Sequence, residues 1–121
     1  KENEYFQPYY NYSLINYHKD SNENRLKIEL KNSSTIVAVK MGEVTRVNKR
    51  CGNGQHIIIK HENGFSSMYA TKYKKIKVKE GDFVEKGEVI GIAENNKLDI
   101  ANVSFLLMKD NKRINPLLIF E

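Results

Sequence analysis

Histidine, cysteine and carboxylate are the side chains that hold metals or activate nucleophiles, and in this chain they are few. There are three histidines, His18, His56 and His61, and one cysteine, Cys51. A zinc centre needs three or four ligands in strict geometry. His18 lies in a polar stretch beside Asp20, His56 opens an apolar strand, and His61 precedes a turn. Each reads as a packed or exposed histidine, not as a ligand. A single cysteine excludes an internal disulfide and a cysteine zinc cluster. Cys51 sits in Arg50-Cys51-Gly52-Asn53-Gly54, a turn-like run with no motif that would activate a thiol. Charge offers another kind of chemistry. The formal net charge is +5, and the densest basic run is residues 72–79. Such a run is either a solvated face or a surface that attracts an anionic polymer. Aromatics do not alternate with the basic residues and no nucleic-acid-binding motif is present, so nucleic acid is not an expected partner.

The elements that position these groups are short strands. The organising stretch is Val78-Lys79-Glu80-Gly81-Asp82-Phe83-Val84-Glu85-Lys86-Gly87-Glu88-Val89-Ile90-Gly91-Ile92. Gly81-Asp82 and Lys86-Gly87 read as tight turns, because glycine takes positive φ without a Cβ clash. Phe83-Val84 and Val89 to Ile92 are the strands between and after them. A shorter echo, Met41-Gly42-Glu43-Val44, hints at internal duplication. Leu26-Lys27-Ile28-Glu29-Leu30 alternates apolar with polar, the mark of a half-buried strand. Further strands are expected at 35–39, 43–47, 55–61, 65–70 and 102–108, and residues 75–78 lead into the glycine stretch. The run Ile57-Ile58-Ile59 suggests a strand buried on both faces. Asn63-Gly64 and Asp110-Asn111 are hairpin turns, Asn95-Asn96 is another turn, and Asn115-Pro116 closes the domain. No segment shows a convincing amphipathic helix, so the fold class is all-β, built of short antiparallel strands. Residues 1–24 read as an irregular aromatic arm, lying on the domain through Phe6, Tyr9, Tyr12 and Tyr17 and ending in a polar loop at 18–24. Residues 25–121 form the domain proper. At 121 residues the chain suits one modest core. It lacks any apolar run of the ~20 residues a membrane helix needs. It does not open on Met and shows no signal peptide, so it reads as a fragment or mature piece.

The glycine stretch resembles the second hairpin of biotinyl and lipoyl carrier domains, of glucose-permease IIA domains and of LytM-type (lysostaphin-like) zinc metallopeptidase domains. The flanking blocks favour the LytM type. They are Ile36-Val37-Ala38-Val39-Lys40-Met41-Gly42, Gly52-Asn53-Gly54-Gln55-His56-Ile57-Ile58-Ile59-Lys60-His61-Glu62-Asn63-Gly64, Ser67-Met68-Tyr69-Ala70-Thr71 and Asn115-Pro116. Their order matches that family over nearly the whole chain, and the resemblance implies a duplicated-hybrid-motif, LytM-type β-sandwich. It also implies where a catalytic site would lie. LytM-type peptidases bind zinc through an HxxxD motif and the second His of HxH, with the first His of HxH and the His of YAH assisting the bound water. Carried onto this chain, HxxxD falls on Arg25 to Glu29, HxH on Asn102 to Ser104 and the YAH histidine on Thr71, with Leu106 ending the HxH face. Arg25 has no lone pair to give, and Asn102 and Ser104 are poor zinc ligands beside imidazole. Only Glu29 remains as a ligand.

The resemblance therefore implies a LytM-like domain without metal, cofactor or hydrolase activity. It would act as a binding, scaffold or regulatory module, with its groove lined by Arg25, Glu29, Thr71, Asn102, Ser104 and Leu106. Its partner would be a cell-wall hydrolase, an envelope protein or peptidoglycan. Its place would be extracytoplasmic, in the periplasm or cell envelope, as with relatives that activate amidases or build envelope complexes. Arg25 and Glu29 are expected to pair across the old metal position. Two alternatives stand beside this reading. One is a carrier domain modified at Lys97, since Glu94-Asn95-Asn96-Lys97-Leu98 looks a little like a lipoyl acceptor turn. The other is an active zinc endopeptidase with atypical ligands.

Overall fold

The computed structural model describes residues 5–20, 22–48, 54–94 and 99–120, so Cys51, Lys97 and the expected turn at 95–96 lie outside the described residues. Eleven strands follow in order: β1 (Leu14–Asp20), β2 (Arg25–Lys31), β3 (Ser34–Val37), β4 (Gly42–Asn48), β5 (Gln55–Lys60), β6 (Phe65–Thr71), β7 (Tyr73–Ile76), β8 (Phe83–Val84), β9 (Val89–Ala93), β10 (Ile100–Lys109) and β11 (Lys112–Ile114). The larger sheet runs β1-β2-β10-β6-β5-β4-β8, with β11 also on β10, and the smaller runs β3-β9-β7. The strand pairs are antiparallel. The all-β expectation holds.

Alternation explains which face of the larger sheet is buried. In β2, Leu26, Ile28 and Leu30 point to the core; in β10, Ala101, Val103, Phe105 and Leu107 do the same. Tyr69, Ile57 and Ile59 continue that layer, and Ile36, Ile90 and Ala93 of the smaller sheet close it. Ile58 is only half-buried, so β5 is covered fully on one face rather than both. Asn63 and Gly64 both take positive φ between β5 and β6, as do Asp110 and Asn111 between β10 and β11; this is the twist a two-residue hairpin favours.

The two glycine turns do one job each. At Gly81 (φ +96°) and Gly87 (φ +83°) a side chain would be strained. Each turn clasps a buried segment: Gly81 donates to the Val44 carbonyl while Val44 donates to Asp82, and Gly87 donates to Ala38 while Ala38 donates to Glu88. Ala38 and Val39 therefore leave the ladder, and β3 ends at Val37 rather than at 39. The echo around Gly42 is not geometric: Gly42 lies within β4, not in a turn.

Two expectations need correction. Residues 14–20 are not an irregular arm passing into a loop but the edge strand β1, paired with β2. Its sequence lacks alternation because both faces of an edge strand are largely wet, and a bulge falls between Leu14 and Asn16. Tyr12 and Tyr17 are 72% and 40% exposed; Tyr9 docks as expected, and Tyr5 docks beside it. They hold residues 5–9 along β3 through a Tyr9–Ile36 bridge and bonds from Phe6 N–H to Val39 and from Val37 N–H to Pro8. After the last strand, residues 117–120 form one helical turn, α1 (Leu117–Phe120).

Candidate functional site

Because the even-numbered apolar residues of β2 face the core, Arg25, Lys27 and Glu29 face outward. Register then fixes their neighbours. Glu29 stands between Asn16 of β1 and Asn102 of β10; Lys27 stands between His18 and Ser104. Cross-strand partners of this kind have Cβ atoms about 5 Å apart. They line a depression of about 290 Å³. Of the residues expected in a groove, Glu29, Asn102 and Ser104 meet there.

The other three do not line it. Arg25 reaches back to the turn before β2, with Nη2 3.1 Å from Glu23 Oε1, and the same oxygen meets Arg113 Nη1 at 3.4 Å. The expected Arg25–Glu29 pair is not formed, because four residues of extended strand separate them by roughly 13 Å. Thr71 alternates with Ser67 and Tyr69, so its side chain is buried, and its hydroxyl donates to the Asn102 carbonyl at 2.6 Å. Leu106 is 3% exposed although Phe105 and Leu107 beside it fill the core, so β10 is covered on both faces here.

Sequence reasoning missed Asn16, His18 and Lys27 as site residues. The signal for Lys27 was present in the alternation of β2. Asn16 and His18 had none, since their strand was not legible. Zinc does not fit this set. His18 and Glu29 are the depression's imidazole and carboxylate, and Lys27, the cross-strand partner of His18 two residues from Glu29, brings a cationic side chain to the same face, opposing a second cation. Catalytic zinc takes three protein ligands. Among the described residues no three His, Cys, Asp or Glu side chains converge to hold a metal.

His61 belongs to a different construction. It is 4% exposed, with Nδ1 2.8 Å from the Met41 carbonyl and Nε2 2.8 Å from Ser67 Oγ. Ser67 Oγ lies 2.9 Å from the Tyr69 hydroxyl, which accepts the Val39 N–H at 3.0 Å. A carbonyl only accepts, so Nδ1 carries the proton and Nε2 takes one from Ser67. Burial pushes the imidazole below its ordinary pKa and outweighs the opposing Met41 bond; Lys40 pushes the same way as burial. Burial also raises the Tyr69 hydroxyl far above its ordinary value. This is a satisfied core histidine, as its sequence position suggested.

With this geometry in place, residues 21–116 match Peptidase family M23. The chain belongs to that family. This M23 domain is similar to a putative peptidase M23 from Pseudomonas aeruginosa, with a TM-score of 0.80 and 20% identity over 98% of this chain and 51% of that one. It is similar to lysostaphin from Staphylococcus simulans, with a TM-score of 0.73 and 16% identity over 99% and 54%. A chain of the SpoIIQ–SpoIIIAH pore-forming complex shares 26% identity at a TM-score of 0.67, over 78% of this chain and 63% of that one. The M23 domain thus spans about half to two thirds of the length of these three relatives. No curated protein is a significant match. The LytM-type resemblance holds.

Proposed function

We propose that this M23 domain is a non-catalytic binding module of the bacterial envelope. One observation carries the reading: the outward face of β2 and β10 presents Asn102 and Ser104, at the positions where the family resemblance would put the HxH imidazoles, beside Glu29 and Lys27. Amide, hydroxyl, ammonium and carboxylate together suit hydrogen bonding to a peptide or glycan held against a rigid sheet. Loss of the ligands leaves the β walls intact, so a substrate groove becomes a docking groove. The relative at 26% identity is part of a complex with a second protein, which supports a role through assembly. The partner is a cell-wall hydrolase, an envelope protein or peptidoglycan itself, met outside the cytoplasm. The carrier reading explains less, since it leaves residues 52–71 without a role, whereas the family match spans them.

Three measurements on the purified protein test this. Metal analysis after dialysis against zinc is expected to find far less than one ion per chain, and incubation with muropeptides is expected to release no product. Retention on purified cell wall, or stimulation of an amidase, is expected to fall at least tenfold in Glu29→Lys. Stoichiometric zinc together with muropeptide cleavage would overturn the proposal.

A further inference from the structure

Five lysines fall within residues 72–79: Lys72, Lys74, Lys75, Lys77 and Lys79. The fold turns this composition into a row. Tyr73, Ile76 and Val78 pack against the core. A register shift between Tyr73 and Lys75 inserts one extra residue, so Lys74 and Lys75 both stay outside. All five lysines are exposed. β7 is an edge of the smaller sheet, with β9 on one side only. Seven steps of extended chain make the row roughly 23 Å long, with outward positions about 7 Å apart on either side of the bulge.

The carboxylates next in sequence are held on backbone N–H groups rather than ion-paired with a lysine of the row. Glu80 accepts the Val47 N–H at 3.0 Å, and Asp82 accepts the Lys79 N–H at 2.9 Å. Among the described residues, the ion pairs belong to Arg25, Arg113 and Glu23, not to these lysines. Lysines on an edge strand also discourage unwanted strand pairing. That role does not account for Lys72, Lys77 and Lys79, which lie beyond the ends of β7.

We infer that this row is a binding surface for an extended, base-free phosphodiester polymer of the poly(glycerol phosphate) type. Anionic charge must repeat along a line to meet such a row, as it does in a linear polyanion. The cations are all lysine, which binds phosphate as a point charge without the directional fork of arginine. The aromatic within the row, Tyr73, is half-buried, packed against the core with its hydroxyl on the Tyr69 carbonyl at 3.1 Å, so it is not free to swing out as a platform for a nucleic-acid base. This surface is independent of the depression on β2 and β10, and either reading stands if the other fails.

The test is titration of fluorescent poly(glycerol phosphate) with the intact protein across a salt series. Three variants are compared: Lys74→Gln/Lys75→Gln/Lys77→Gln, a control Lys31→Gln/Lys86→Gln/Lys112→Gln with the same change in net charge, and the three row lysines changed to arginine. Thermal melts establish that each is folded. The row variant is expected to bind at least tenfold more weakly at low salt. Its log–log salt slope should be shallower by about 2, since each lost phosphate contact removes about 0.7. The control and the arginine variant are expected to stay within threefold of the parent. Parallel titrations use polyglutamate and a mixed-sequence single-stranded oligonucleotide, both expected to bind more weakly. Equal losses in row and control variants, or tighter binding of polyglutamate or oligonucleotide, would overturn the inference.

Discussion

Replacing Tyr69 by Phe removes one oxygen from the centre of the molecule. That oxygen accepts the Val39 N–H at 3.0 Å and lies 2.9 Å from Ser67 Oγ. Val39 is fully buried, so no water replaces the lost partner. An orphaned buried donor costs about 1–3 kcal/mol, and the neutral bond to Ser67 adds about 1 kcal/mol. Phenylalanine recovers part of this because its ring carries no hydroxyl to desolvate, and its contact with Phe105, at 5.3 Å between centroids, is kept. The net loss is expected to be about 2 kcal/mol, a large share of the roughly 5–15 kcal/mol that holds a domain together. Urea unfolding followed by tyrosine fluorescence measures it, with Tm falling by roughly 6–12 °C in a domain of this size. Tyr73→Phe is the comparison, since it loses one hydroxyl bond to a carbonyl and is expected to cost about 1 kcal/mol. If Tyr69→Phe changed stability by less than Tyr73→Phe, the hydroxyl would not be the junction described here.

Stability is expected to fall with acidification in the window that His61 controls. Its folded pKa is below the unfolded 6.5, so the unfolded chain takes up a proton that the folded chain refuses. That contribution is fully present above about 6.5, declines as pH falls through it, and is gone below the folded pKa. His61→Gln should flatten the slope between pH 5 and 7, and an unchanged slope would exclude the imidazole as its source. Gly42→Ala is expected to lose about 1–3 kcal/mol by overpacking: a Cβ there would press on the Lys60 carbonyl and come within 2.8 Å of Ile59 Cγ2 and 3.0 Å of His61 Nδ1. Denaturant midpoints measure this, and a neutral result would mean that β4 and β5 separate readily. Arg25→Met is expected to be neutral or stabilising by about 1 kcal/mol, because it removes a buried Nε that has no partner and an ion pair at a half-exposed site. A loss above 2 kcal/mol would assign Arg25 a structural role that its contacts do not show.

Local chemistry was enough for much of this protein. The alternation of β2 and β10, the Asn63-Gly64 and Asp110-Asn111 turns and the glycines at 81 and 87 each state a backbone preference that neighbouring residues alone enforce. From those, the all-β class and the outward direction of Glu29, Asn102 and Ser104 follow. The existence of β1 did not follow, because an edge strand with two wet faces carries no hydrophobic period; its pairing with β2 is a tertiary fact. Nor did the partners of Arg25, which are decided by where the chain turns at Glu23 and by the approach of Arg113 from ninety residues away. Thr71 shows the same division. Its type was legible, but the strand parity that turns it inward, and the Asn102 carbonyl waiting there, exist only once β6 and β10 are side by side.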